Sequence, residues 1–165
     1  MLRMFDRLED MDFDSLMKVY REGNLENGKY FYPLESEDRQ LALAECDFRK
    51  YLNNDFFSKP DACYWIWEES GTYISALRLE SVRQGMLLEA LETDPDCRCR
   101  GYAKKLLKTV LRALPQGRMI YSVVANDNIA SLRTHRSCGF STVPMPEDLK
   151  EIYNAEYYVT LAVTT

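Results

Sequence analysis

The sequence predicts a single α/β domain, and three observations carry that reading. Stretches with apolar residues at helical spacing alternate with β-rich runs along the whole chain, with no repeat and no Pro/Gly/Ser-rich linker between them. At 165 residues the chain has the usual length of one domain and buries one sizeable core. Its 46% hydrophobic and 28% charged residues match ordinary globular composition, so one domain spanning 1–165 is expected.

A short apolar start at 2–5 precedes a first helix, in which Phe13, Leu16, Met17 and Tyr20 recur at helical spacing, Asp10 or Asp12 offers an N-cap, and Gly23 marks the end. A loop carrying Tyr30, Phe31, Tyr32 and Pro33 leads to a second helix over about 37–54, with Leu41, Ala44, Phe48, Tyr51 and Leu52 on one side. From Cys63 the pattern turns to strands: 64–68, a Ser70-Gly71 turn, then 72–79 as a hairpin. Gly85 opens the run MLLEALET, apolar enough for a central strand covered on both faces, which stops at Asp94 and Pro95. Ala103, Leu106, Leu107, Val110, Leu111 and Leu114 form the clearest amphipathic helix, ended by Pro115 and Gly117. A strand at 119–124, a polar turn at 125–128, a helix closed by Gly139 and β-like runs at 140–143 and 157–163 complete the order β-α-α-β-β-β-α-β-α-β-β.

Composition also excludes. No apolar run approaches the ~20 residues that span a bilayer, and the first residues, MLRMFDRLEDMDFDS, lack the unbroken apolar stretch of a secretory signal, so a cytoplasmic protein without a membrane partner is expected. Five scattered cysteines in such a chain read as reduced thiols. Cys97 and Cys99 resemble half a metal site, but with one histidine and no second close cysteine pair no metal is expected. A net charge of −5 argues against a nucleic-acid partner, yet Arg98, Arg100, Lys104, Lys105 and Lys108 cluster within one short stretch. That pattern suits a local anion site.

The anion site has a physical form. The segment LLEALETDPDCRCRGYAKKLLKTVL reads as strand, basic turn and helix, with Gly101 and Ala103 at the helix start. Small residues there let the backbone N–H groups of the first turn approach a phosphate, and the helix dipole adds positive charge. The Gly-Lys-Ser/Thr of a nucleotide P-loop is missing, and RCRGYA is not the dinucleotide-binding glycine pattern.

Arg98-x-x-Gly101-x-Ala103, after LEALET and Pro95, resembles the Arg/Gln-x-x-Gly-x-Gly/Ala signature of the GCN5-related N-acetyltransferases. Asn128-x-x-Ser131, followed by Thr134-His135-Arg136-Ser137-Cys138-Gly139-Phe140, is similar to that family's second signature, Asn-x-x-Ala/Ser then Leu-Tyr-x-Lys-x-Gly-Phe. The resemblance spans about 63–163. It implies a mixed, mostly antiparallel central sheet splayed into a V with helices on both faces, acetyl-CoA as cosubstrate, and an amine acceptor chosen by the stretch 23–57. It further implies that main-chain groups of Leu91 and Thr93 bind the acetyl and pantetheine portion, and that the loop Arg98, Cys99, Arg100, Gly101, Tyr102, Ala103 and Lys104 takes the pyrophosphate. Asn128, with Ser131 in the same motif, would meet the pantetheine arm, or serve as the N-cap of its helix, or do both.

His135 stands where the family usually has a tyrosine that protonates the departing thiolate; an imidazolium performs the same step, and a helix-face histidine without proton transfer is the alternative. For the base, Glu89 is the candidate, because strand alternation puts it on the face of Leu91 and Thr93 and Glu92 on the other. The alternative for Glu89 is a carboxylate bonded to the backbone. Tyr30 to Tyr32 are candidates for the acceptor pocket. The expected function is direct acetyl transfer to a primary amine by a monomer or homodimer, the rival being a non-catalytic acyl-CoA-binding module on the same fold.

Overall fold

The computed structural model describes residues 1–165 and joins seven strands in one sheet. In chain order these are β1 (Leu2–Phe5), β2 (Cys63–Glu69), β3 (Thr72–Val82), β4 (Gly85–Thr93), β5 (Met119–Ala125), β6 (Ser141–Thr142) and β7 (Tyr158–Thr164). The sheet order is β1-β2-β3-β4-β5-β7-β6, and every neighbouring pair is antiparallel except β4 and β5. That parallel pair is held only where Met86 to Leu88 face Ile120 to Ser122. Beyond Leu88 the strands part, so the sheet opens into a V with its apex between β4 and β5.

Six α-helices cover the sheet: α1 (Phe13–Val19), α2 (Arg21–Phe31), α3 (Glu37–Asn54), α4 (Tyr102–Ala113), α5 (Ile129–Arg136) and α6 (Glu147–Lys150). Strand alternation sorts side chains onto two faces. Tyr64, Ile66 and Ala76 point one way, into a core with Leu16 of α1, Leu52 of α3 and Phe56 of the turn after it. Leu77, Leu79, Leu88 and Leu161 point the other way, onto Leu106, Leu107 and Val110 of α4 and Leu132 of α5. The three α4 residues are fully buried, and each contributes about 1.5–3 kcal/mol by leaving water. A smaller cluster of Leu87, Tyr121, Met145, Leu149 and Ala162 fastens α6 beside β4, β5 and β7.

The expected first helix is two. Asp12 caps α1, its side chain accepting from the Ser15 N–H at 3.1 Å, but the helix breaks at Tyr20 and resumes as α2, with Gly23 inside it. Gly23 touches nothing that would stop a helix, whereas Gly28 lies where a Cβ would come within 2.6 Å of the Gln40 carbonyl oxygen. The second glycine thus permits α2 and α3 to cross closely. Tyr30 and Phe31, expected in a loop, finish α2. No helix is long and apolar enough to cross a membrane.

Candidate active site

The site begins with an irregularity in β4. Glu89 lies opposite Arg78 on β3 and Glu92 opposite Ala76, so four residues of β4 face three of β3. Ala90 takes up the extra length as a bulge with φ 50°, left-handed backbone that costs a non-glycine residue about 1–2 kcal/mol. The Tyr20 hydroxyl donates to the Ala90 carbonyl at 2.7 Å and ties the bulge to the α1–α2 junction. Tyr20→Phe is expected to lower stability by about 1 kcal/mol, read from the denaturant midpoint, with a smaller loss in Ala90→Gly, where the conformation is no longer strained.

The bulge reverses the alternation read from sequence. Glu89 and Glu92 share the face of Arg78 and Ala76, while Leu91 and Thr93 turn toward α4, Leu91 packing in that core and the Thr93 hydroxyl donating to Ser75 Oγ at 3.0 Å. Glu89 is therefore not on the face of Leu91 and Thr93, and Glu92 is not opposite Glu89. Because β5 has departed, the β5-side backbone edge of β4 beyond Leu88 has no strand partner.

On the α4 face a cavity of about 670 Å³ runs from Leu91 and Thr93 past the turn before α4 to the side of α5. Gly101 starts α4 at φ 81° with no side-chain cap, and the first helical N–H to find an intrahelical partner is that of Lys105, on the Gly101 carbonyl at 2.9 Å. The N–H groups of Tyr102, Ala103 and Lys104 are left free, as at any helix start without a cap. A Cβ at Gly101 would meet open space, so glycine is required there for its dihedral rather than for room. Lys104 and Arg133, from the first turn of α4 and the last of α5, bring cationic side chains to the cavity wall. Free N–H groups, the positive end of a helix and two cations make a site for an anion such as a pyrophosphate.

A second cavity of about 200 Å³ occupies the gap of the V, where Arg78, Glu89, Ser122 and His135 meet. Leu91, Glu92, Asn128 and Ser131 line both cavities, and Glu92 is the titratable residue among them. Asn128 caps α5 by accepting from the Ser131 N–H at 3.0 Å. Glu89 bonds Arg78 at 3.2 Å through one oxygen and accepts from the Tyr153 hydroxyl through the other. Glu92 is freer: its only ion pair is with Arg98 at 3.6 Å, and burial raises its carboxyl above the usual value of 4.5, Arg98 opposing.

His135 is buried against Phe140. Its Nδ1 lies 2.9 Å from the Ser131 carbonyl oxygen, which only accepts, so Nδ1 carries the proton. Nε2 has no partner. Burial pushes the imidazole below its ordinary 6.5, so the neutral ring predominates at pH 7 and burial disfavours the imidazolium donor considered from sequence. The sign for stability follows: as pH falls through 6.5 the unfolded chain takes up this proton before the folded one, and stability is lost until the folded pKa is passed. Urea midpoints of wild type and His135→Gln should therefore converge between pH 7 and pH 5.

Of the other residues expected from sequence, Leu91, Thr93, Arg98, Cys99, Gly101, Tyr102, Ala103, Lys104, Asn128 and Ser131 line the larger cavity. Arg100 is exposed and does not, and the Tyr102 hydroxyl turns away to Glu69 at 2.7 Å. Neither cavity includes Tyr30, Phe31 or Tyr32. Sequence reasoning missed Arg133, and it missed Arg78 and Tyr153 as the partners of Glu89. Arg133 sits between Ser131 and His135 in the quoted motif, two residues from each, and that position was the available signal.

Residues 26–140 match the family model of the acetyltransferase (GNAT) family. Among curated proteins no sequence match is found. Among solved structures, the PaiA N-acetyltransferase from Thermoplasma acidophilum in complex with coenzyme A superposes with a TM-score of 0.64 at 15% identity, covering 100% of this chain and 99% of its own. The ribosomal-protein-S18-alanine N-acetyltransferase from Escherichia coli does so with 0.61 at 14% identity, covering 99% and 94%. The IAA acetyltransferase from Bacillus cereus gives 0.60 at 14%, covering 100% and 99%. At such identities the structures speak for the fold, the V-shaped sheet with helices on both faces. The family model speaks for the sequence, and with its match over most of the length this chain belongs to the GNAT acetyltransferase family.

Proposed function

We propose that the protein is an N-acetyltransferase that moves the acetyl group of acetyl-CoA directly to a primary amine. The observation that carries this reading is the meeting of two unlike cavities along β4: an anion-suited one on the α4 face and a carboxylate-lined gap through the sheet. The residues suit the cosubstrate. The free N–H groups of Tyr102, Ala103 and Lys104, with the Lys104 and Arg133 side chains, hold the pyrophosphate. Leu91, Thr93 and Asn128 lie along the course from there to the gap.

When bound, the thioester supplies an activated acetyl group. The unpartnered edge of β4 presents backbone N–H groups to its carbonyl, where fixed donors favour the charge that develops on oxygen. Glu92, raised by burial and lining both cavities, accepts the proton of the attacking amine as the C–N bond forms, directly or through a water. That proton passes on through water to the CoA sulfur that leaves as the C–S bond breaks. Glu89, the base expected from sequence, holds Arg78 and Tyr153 in place at the wall of the gap. His135, neutral, offers the lone pair of Nε2 as an acceptor rather than an acidic proton.

A binding module without turnover is the second reading, favoured by the neutral His135 at the position of the family's usual tyrosine. A thermal melt with and without acetyl-CoA, followed by free-thiol release against a panel of amines, separates the two. Acetyl-CoA at about a hundred times its Kd stabilises by about 2.7 kcal/mol, a shift of several degrees. Thiol release with one amine class supports the transferase; a shift without release supports the module; no shift removes both.

A further inference from the structure

Arg98 is the first residue of the cofactor-loop motif, yet its guanidinium does not face the α4 N–H groups with its donors free. It is fastened at three points: Nε donates to the Thr93 carbonyl at 3.2 Å, Nη1 donates to Glu22 Oε2 in the first turn of α2, and Nη2 lies 3.6 Å from Glu92 Oε2. These partners belong to the end of β4 and to a helix on the opposite face of the sheet from α4. The side chain reaches from the cofactor loop around the end of β4 to the other face.

We propose that the Arg98 side chain is a positioning residue of the acceptor face, clamping α2 to the end of β4 and fixing the Glu92 carboxylate beside the gap, while the pyrophosphate is left to the α4 backbone, Lys104 and Arg133. The inference rests on the role given above to Glu92 in accepting a proton.

Three features support it. A guanidinium presents several donors in one plane, which lets a single side chain serve two carboxylates and a carbonyl, a geometry that lysine does not reproduce. The bulge at Ala90 is what brings Glu92 onto the face of α2; without it this carboxylate would point toward α4, away from Glu22. The charges around Glu92 also oppose one another. Burial is the largest influence and raises its carboxyl, Arg98 lowers it, and Glu22 and Glu26 of α2 raise it again. The Tyr20 phenol faces the same carboxylate from the α1–α2 junction, and Lys104 and Arg133 stand on the wall of the larger cavity. Glu22 and Glu92 therefore share one cation, and the share that each holds sets the pH at which Glu92 is ready to take a proton.

The test uses the full chain and two readouts. Carboxyl ¹³C NMR follows the titration of Glu92 in the ligand-free protein, and acetyl-CoA binding is measured by calorimetry beside the pH profile of kcat/KM for whichever amine is turned over. In Arg98→Gln the Glu92 titration and the acidic limb of the profile move to higher pH. Below the limb, kcat/KM then falls about tenfold for each unit moved, while the Kd for acetyl-CoA stays within about threefold of wild type. Glu22→Gln moves both in the opposite direction, and Arg98→Lys, which keeps the charge, holds them nearer to wild type. A Glu92 titration that Arg98→Gln leaves in place, or a Kd that rises more than about tenfold, returns the side chain to the pyrophosphate and overturns the proposal. The transferase reading fails separately: a wild-type protein that binds acetyl-CoA and releases no thiol defeats it, and the Glu92 titration still decides what Arg98 does.

Discussion

Glu92→Gln is expected to reduce amine-dependent thiol release by about 100-fold or more while leaving acetyl-CoA affinity within a few-fold of wild type, since a positioned base contributes about 10²–10⁴ to such a step. The substitution keeps the shape of the side chain and removes its charge and its capacity to take a proton. Because Glu92 lines the cavity beside the turn before α4 without belonging to that turn, binding and turnover are expected to separate in this variant. Glu89→Gln is the informative comparison. Glu89 is engaged by Arg78 and Tyr153, so its loss disturbs a largely buried ion pair and appears first as a lower melting temperature. Steady-state thiol release and calorimetry on the two variants distinguish the roles, and equal turnover in wild type and Glu92→Gln would remove Glu92 from the chemistry.

The second large effect is on binding. Lys104→Glu combined with Arg133→Glu replaces two of the three cations of the cavity wall, Arg98 being the third, by anions and is expected to weaken acetyl-CoA by about 100-fold, since removing a charge-assisted hydrogen bond costs about 1.5–3 kcal/mol. Lys105→Glu, one residue along, is the control. Lys105 packs over the Trp67 ring at 4.1 Å and does not line the cavity, so its reversal is expected to change the melting temperature more than the affinity. Isothermal titration with acetyl-CoA at two salt concentrations checks both, since a site with fewer cations facing the phosphates also responds less to salt.

Much of the molecule was legible in the sequence, and what was not has a physical reason. The helix at 37–54 and the strand at Gly85–Thr93 were readable because their patterns are long and cleanly bounded. The geometry of an anion site before α4 was readable because a glycine in left-handed backbone, free N–H groups and clustered cations all fall in one continuous segment. The face of Glu89 was misread because alternation assumes one residue opposite one residue, and nothing in LEALET announces that Ala90 breaks that count. Gly23 looked like a helix stop and is not one, whereas the true break at Tyr20 comes from a residue whose ring packs on Phe48 and Tyr64 and whose hydroxyl reaches β4. The clamp at Arg98 joins residues 22, 92 and 98, which only the folded chain brings together. His135 was recognisable by position, but its protonation depends on burial and on the Ser131 carbonyl, neither of which sequence spacing reveals.

The brief pairing of β4 with β5 has a mechanical consequence. Met86 to Leu88 against Ile120 to Ser122 is the only ladder between the two halves of the sheet, so the molecule is two stiff plates sewn along a short seam. Leu106, Leu107 and Val110 of α4 share one core with Leu77, Leu79 and Leu88 on one plate and Ile120 and Leu161 on the other, so a single packed layer lies behind the seam. A change in the width of the opening therefore requires no strand to slip, only rotation about the stitched end. A chain built this way can admit a slender arm between its plates and grip it without unfolding either one.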